Sequence, residues 1–118
     1  MANPREDGSD AVVVLTTTPD ASSAERLARS LVEARLAACV SRVSAVQSVY
    51  RWKGQVHDDA EVLLLIKTRR SLLSRIEAHF ASGNHPYEVP ELLALPVVAG
   101  GSAYLAWLIA ETEDSPQP

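Results

Sequence analysis

The sequence has a single cysteine, no long apolar run and no apolar N-terminal segment, and each of these features excludes a class of protein. The single cysteine, Cys39, has no second cysteine to pair with, which excludes a scaffold held together by internal disulfides. No apolar run approaches the roughly 20 residues that a membrane-spanning helix needs. The polar N-terminal residues also lack the apolar segment of a secretory signal. We therefore expect a cytoplasmic protein that does not contact a membrane.

Basic residues are missing from the C-terminal third of the chain. All 11 Lys and Arg residues precede position 76, whereas residues 76–118 carry 6 acidic residues and no Lys or Arg. The formal net charge is -4. A nucleic-acid-binding domain normally presents a dense basic face to the phosphates. The charge distribution therefore predicts that nucleic acid is not a partner.

The remaining composition is typical of one globular domain. The chain has 118 residues, of which 47% are hydrophobic and 22% are charged, which is enough to bury a core without disulfides or a structural metal. We assign a single domain to residues 11–111. Residues 1–10 and 112–118 are predicted to be flexible tails.

Local signals predict where the secondary-structure elements begin, bend and end. Ser22, followed three residues later by Glu25, has the spacing of a capping box at the start of a helix. The valines of residues 39–52 recur every third residue, which suggests a long strand with a bulge near Ser44-Ala45. Gly54 supplies the tight reversal of a hairpin. Its second arm contains an apolar run that predicts a central strand.

The order of these elements defines the fold class. Strand, helix, two strands, helix and strand form the βαββαβ order of a ferredoxin-like α+β sandwich, here with an additional C-terminal helix. Both internal helices are expected on one face of the sheet. The other face then has no cover from this chain, which predicts a symmetric homo-oligomer.

Six segments carry a resemblance to a known family. In order they read VVVLTTTPD, LVEARLAACV, VYRWKGQV, EVLLLIKT, HPYEVPELLALPV and YLAWL. The specific elements are Tyr50-x-Trp52-x-Gly54, Lys67-Thr68, and His85-Pro86-Tyr87 with Pro90-Glu91 after it. Over roughly residues 11–110 the chain is similar to the CutA divalent-cation tolerance family.

The resemblance implies a fold, an assembly and a metal link. It implies a subunit related to the PII signalling fold, a homotrimer formed by pairing of sheet edges, and an association with copper and other divalent cations. The family's copper ligands are drawn from cysteine and from the histidine that His85 matches. Metal-binding members can carry a cysteine where this chain has Thr16, which is a poor ligand for copper.

The candidate metal ligands are His85, Cys39 and Glu88, although their spacing matches no standard metal motif. Pro86 keeps His85 out of the preceding helix, so we expect the His85 ring to face outward at a subunit boundary. Hydrogen bonding of that ring to a neighbouring backbone group is the alternative.

A second set of residues is of the kind that lines a cleft between subunits. Tyr50 and Trp52 project from the same face of a strand, where a subunit interface or a ligand pocket explains them. The full set of candidates for this cleft is Tyr50, Trp52, Glu61, Lys67, Tyr87, Glu91 and Trp107. The same location can be both a subunit interface and a ligand pocket.

The predicted function is divalent metal ion tolerance, through cation binding or signalling. No cofactor is predicted beyond a divalent cation such as copper, and the other expected partners are a second and third copy of the chain or a small anionic or polar ligand. The alternative is a PII-like small-molecule sensor with no direct metal handling. An enzyme with a cleft at the subunit interface is less favoured, because the sequence has no nucleophile elbow, P-loop or dinucleotide fingerprint.

Overall fold

The structure is a computed structural model that describes residues 10–112. Its elements are β1 (Ala11–Thr18), α1 (Ala21–Glu33), β2 (Cys39–Trp52), β3 (Gln55–Arg69), α2 (Leu73–His79), β4 (Leu93–Pro96) and α3 (Ser102–Glu111). A 3-10 turn precedes α2, and a wider turn follows it. The four strands form one antiparallel sheet in the order β2-β3-β1-β4. The predicted ferredoxin-like α+β fold with an extra C-terminal helix is confirmed.

The main core lies between the sheet and the two internal helices. Alternate residues of β1 and β3 point to this side, as the two-residue period of a strand requires. Leu27 and Leu31 of α1 and Ile76 of α2 pack against them and are fully buried. The predicted placement of both helices on one face is confirmed.

The C-terminal helix covers part of the second sheet face, so the prediction of a bare face is wrong at one end. Leu105 and Leu108 of α3 are buried against Ala11, which precedes Val13 and Leu15 on the same face of β1. Val13 and Leu15 themselves are only half-buried. The apolar face that is left open is therefore smaller than the strand pattern alone predicts.

The cap of α1 differs from the predicted one. Asp20, not Ser22, occupies the N-cap position, and its carboxylate accepts a hydrogen bond from the Ser23 backbone N–H at 2.8 Å. Ser22 lies inside the helix, where its hydroxyl accepts from Arg26. Asp and Ser are both strong N-cap residues, so the residue that caps the helix depends on where β1 ends.

The long hairpin has the predicted bulge and turn. The register of β2 against β3 shifts between Val43 and Val46, and Ala45 there has a φ of 65°. Lys53 and Gly54 have φ values of 51° and 78°, as a two-residue type I′ turn requires. The bulge bends the hairpin, whose outer half then carries the candidate site.

Most of the two predicted tails lies outside the described residues, but their innermost residues are held in place. The Asp10 carbonyl accepts from the Arg70 backbone N–H at 2.7 Å. Thr112 is fully buried, and its hydroxyl donates to the Leu108 carbonyl at 2.8 Å. Asp10 and Thr112, which the sequence assigned to the tails, are thus bonded to the domain.

Candidate functional site

A cavity of about 550 Å³ opens beside the outer half of the hairpin. We call it the hairpin cleft. Its lining consists of one hairpin side and one loop side, formed by Ser48, Val49, Tyr50, Trp52, Glu61, Tyr87, Glu88, Val89 and Glu91. Five of the seven predicted cleft candidates therefore meet here, together with Glu88 from the predicted metal set.

The hairpin side is set by strand register. Tyr50 pairs with His57, and Ser48 pairs with Asp59, which places these side chains on one face of the two strands. The Tyr50 hydroxyl donates to the Asp59 carboxylate at 2.5 Å, and its ring stacks on His57 at a centroid distance of 5.2 Å. Glu61 lies two residues beyond Asp59 on the same face. Beyond the bulge, this face of the hairpin is thus aromatic and acidic.

The loop side is held by a bond to the hairpin. The Tyr87 hydroxyl donates to Glu61 Oε2 at 2.6 Å. Glu61 is only 7% exposed, whereas Trp52 at the outer end of the cleft is 39% exposed. This bond ties the loop of residues 85–91 to the hairpin at the buried Glu61.

His85 anchors the start of that loop, and its ring faces the interior. It is 6% exposed, its Nε2 lies 2.9 Å from the Thr16 hydroxyl, and its ring contacts the Phe80 ring edge-on. Its Nδ1 accepts the Tyr87 backbone N–H at 3.1 Å, so Nε2 carries the proton of the neutral ring. The prediction of an outward-facing ring is wrong, because these bonds turn His85 toward β1.

Burial and close carboxylates shift the acidities in the cleft. Burial, together with the bond to Glu61, raises the pKa of Tyr87 far above its ordinary value of 10. Burial and the nearby Glu61 also raise the pKa of Glu91. The bond to Asp59 raises the pKa of the Tyr50 phenol. Both phenols thus stay protonated as hydrogen-bond donors at neutral pH.

The lining of the cleft has one sign of charge. Among residues 10–112, its ionisable side chains are Glu61, Glu88, Glu91 and the two tyrosines, and none of the described Lys, Arg or His residues belongs to it. A site of this composition attracts positive charge and repels anions. Of the ligands expected from the sequence, an anionic one is therefore the least suited to this cleft.

Two predicted cleft residues lie elsewhere. Lys67 pairs with Cys39 across the sheet, and its ammonium donates to the Ser41 hydroxyl at 2.6 Å and lies 3.6 Å from the Cys39 sulfur. Six residues of strand, or about 20 Å, separate Lys67 from Glu61. Trp107 lies on α3 beside Tyr104 at a ring distance of 5.4 Å.

Of the three predicted metal ligands, Cys39 lies apart from the other two, whereas His85 and Glu88 both line a second cavity of about 440 Å³ behind the loop of residues 85–91. Cys39 contacts Lys67 and Ser41, His85 contacts Thr16 and Tyr87, and Glu88 lines the hairpin cleft. Within residues 10–112, no three His, Cys, Asp or Glu side chains cluster in a way that would hold a metal ion.

Sequence reasoning missed two contributors to this region. Asp59 was missed because its role depends on the diagonal reach of Tyr50 across the hairpin. Thr16 was considered only as a weak metal ligand, whereas it is the hydrogen-bond partner of His85. For Asp59, the sequence does contain a signal. Counting the hairpin register back from the Gly54 turn places Asp59 diagonally opposite Tyr50 on the same face.

The chain matches a known protein family over most of its length. Residues 12–111 match the model of the CutA1 divalent ion tolerance protein family. The Divalent-cation tolerance protein CutA of Pectobacterium atrosepticum is 48% identical over 101 residues, which are 86% of this chain and 91% of that protein. The chain therefore belongs to the CutA1 family.

Eukaryotic relatives and solved structures agree with that assignment. Protein CutA, chloroplastic, of Arabidopsis thaliana is 46% identical over 87% of this chain and 56% of its own length. The chain thus spans little more than half of the plant relatives that it matches. The crystal structure of CutA1 from Oryza sativa superposes with a TM-score of 0.84 at 47% identity, over 89% of this chain and 95% of that one. No helix in residues 10–112 is long and apolar enough to cross a membrane.

Proposed function

We propose that this chain serves divalent-cation tolerance as a binding module, and that the hairpin cleft is its ligand site. The observation that supports this most is the convergence of Tyr50, Trp52, Glu61, Tyr87 and Glu91 on one cavity. Its volume of about 550 Å³ lies within the range of about 300–1,000 Å³ that is usual for small-molecule sites. Aromatic walls with a few placed polar groups are also typical of such sites. The acidic lining favours a cationic ligand.

Direct copper ligation by His85, Cys39 and Glu88 is less well supported by this geometry. Both ring nitrogens of His85 already have hydrogen-bond partners, so ligation would require the ring to leave Thr16 or Tyr87. The Cys39 sulfur lies near the Lys67 ammonium, which would oppose a bound cation. We therefore place the binding function in the cleft and treat the link to metal ions as indirect, as in the sensor alternative.

We also propose the homotrimer and the cytoplasmic location that the sequence predicted. Two edge strands, β2 and β4, are open to pairing, and all four residues of β4 are exposed. Exposed apolar side chains on these elements include Leu93, Leu95 and Val43. Unpaired edges and apolar patches of this kind are normally covered by a partner. We propose a binding role and no catalytic one, because the raised pKa values keep both phenols of the cleft protonated, and within residues 10–112 the Ser48 hydroxyl has no base bonded to it that would activate it as a nucleophile.

Complementation tests the proposed function. The host is a bacterial strain whose own family member has been deleted and whose growth is thereby sensitive to copper or zinc. Wild type is expected to restore growth, and Glu61→Gln is expected to restore it poorly, because the amide keeps the Tyr87 bond but removes the charge. Glu33→Gln, an exposed change at the end of α1, is the matched control and should behave as wild type. Equal rescue by all three proteins would refute a role for the cleft.

A further inference from the structure

We infer that the hairpin cleft binds the alkylated ammonium group of a small organic cation rather than a bare metal ion. This inference rests on the proposed function and names the ligand class of that site. Four observations carry it: the buried carboxylate of Glu61, the aromatic walls, the spacing of the acidic groups, and an ammonium group that already lies on one wall.

Glu61 is a buried carboxylate with one unused oxygen. Its Oε2 accepts the Tyr87 hydroxyl, and among the described residues no other hydrogen bond and no ion pair reaches this carboxyl. At 7% exposure it is too buried to be fully solvated. A buried charge is costly unless a counter-charge or hydrogen bonds compensate it. A cation in the cleft would supply that counter-charge from the open side.

The aromatic walls fit an organic cation better than a metal ion. Tyr50, Trp52 and Tyr87 line the same cavity, and an ammonium held over such ring faces is attracted by their negative π-surface. Alkyl groups on the nitrogen add apolar contact, for which Val49 and Val89 provide neighbours. A hydrated metal ion gains nothing from these surfaces.

The three acidic side chains of the cleft suit a ligand whose positive charge is spread over several atoms. Glu61, Glu88 and Glu91 all line the cleft, yet they form no three-ligand cluster, and the residues described contain no such cluster elsewhere. A divalent metal ion needs several oxygen ligands at about 2.0–2.6 Å from one point. A cavity of about 550 Å³ is also far larger than a single metal ion. An organic cation spreads its charge over a larger volume and suits carboxylates at longer distances.

One aromatic ring of the cleft already has an ammonium group close to it. The Lys53 ammonium lies 5.6 Å from the centroid of the Trp52 ring, which is within cation–π distance. Lys53 comes from the hairpin turn and is exposed. The Trp52 ring is thus accessible to a cation at cation–π distance.

The two tryptophans of the chain provide a matched internal test. Trp52 lines the cleft and Trp107 lies on α3, and in the single subunit they are 39% and 41% exposed. The probe is choline, followed through the two indole N–H signals in a nitrogen–proton correlation spectrum, assigned with Trp107→Phe. We expect choline to shift the Trp52 signal saturably and to leave the Trp107 signal in place.

Charge and shape are then separated with a neutral isostere and a charge-removing variant. 3,3-Dimethylbutan-1-ol has the shape of choline without its charge and should bind at least tenfold more weakly. Glu61→Gln should weaken choline binding at least tenfold, while Glu33→Gln should leave it unchanged. The oligomer mass of each variant is measured alongside, so that a change in assembly is not read as a change in binding.

The outcomes distinguish this inference from the proposed function. If choline leaves both indole signals unmoved while Zn²⁺ or Cu²⁺ binds and loses affinity in Glu61→Gln, the organic-cation inference is overturned and the cleft function stands. Equal binding of choline and its neutral isostere also overturns it. If Glu61→Gln changes the binding of none of these probes, the inference and the proposed cleft function both fail.

Discussion

Replacement of His85 by alanine tests whether this residue stabilises the fold or serves as an exposed metal ligand. The ring makes hydrogen bonds to Thr16 and to the Tyr87 backbone and an edge contact with Phe80, beside a more distant tilted contact with the Tyr87 ring. Each hydrogen bond is worth about 1 kcal/mol, and an aromatic contact is worth about another 1 kcal/mol. We therefore expect His85→Ala to lower the free energy of unfolding by about 3 kcal/mol, a large part of the roughly 5–15 kcal/mol of an ordinary domain.

The measurement is urea unfolding of wild type and variant at equal subunit concentration, because association contributes to stability. His57→Ala is the control: the His57 ring stacks on Tyr50 at the hairpin, and its loss should cost less than about 1 kcal/mol. Copper titration of the same proteins completes the test. We expect equal copper affinity in wild type and His85→Ala, since both ring nitrogens are engaged inside the fold.

The pH dependence of stability has a definite sign. Burial lowers the pKa of His85, and burial also lowers the pKa of His79. Below about pH 6.5, which is the pKa of an ordinary histidine, the unfolded chain therefore binds protons that the folded chain does not bind. The stabilisation is complete above pH 6.5 and is lost as the pH falls toward the lowered pKa values, with a slope of at most about 1.4 kcal/mol per pH unit for each histidine. His85→Ala should reduce this slope without abolishing it.

A small effect would refute this reasoning. If His85→Ala costs less than about 1 kcal/mol, the ring does not make the bonds described, given that each of its contacts alone is worth about that much. A variant that unfolds normally but loses copper affinity at neutral pH would show that the ring turns outward to bind metal.

Two further predictions concern the cap and the assembly. Asp20→Ala should destabilise the subunit by about 1 kcal/mol in urea unfolding, as loss of an N-cap does, whereas Ser22→Ala should have little effect; the reverse order would restore the predicted capping box. Trp52→Ala should shift the oligomer toward monomer in light scattering by weakening association by about 3–5 kcal/mol, the usual cost of truncating a buried interface aromatic. Wild type should show about three times the 12.7 kDa subunit mass, and a monomeric wild type would contradict the assembly argument.

Features that depend on neighbours in the sequence were predictable. The bulge near Ala45 followed from the valine spacing, and the turn at Gly54 followed from the need for positive φ angles. The strand and helix order followed from periodicity, because burial of one face imposes a period of two on strands and about 3.6 on helices. Most of the cleft was predictable for the same reason, since Tyr50, Trp52 and Glu61 share one face of a hairpin whose register its turn fixes.

Only the tertiary structure decided the features that depend on contacts between distant segments. Tyr87 and Glu61 are 26 residues apart in the chain, and only the packing of the loop on the hairpin brings the Tyr87 hydroxyl to the Glu61 carboxylate. The proline after His85 shows that the chain is extended there, yet only the packing of that loop on β1 brings the ring to Thr16. The sequence by itself determined the elements, their order and the chemical nature of the cleft, because these follow from local conformational preference and strand alternation. The direction of the His85 ring and the closure of the loop onto the hairpin were decided by the packing of segments that are distant in the chain, since His85 and Thr16 are 69 residues apart and Tyr87 and Glu61 are 26 residues apart.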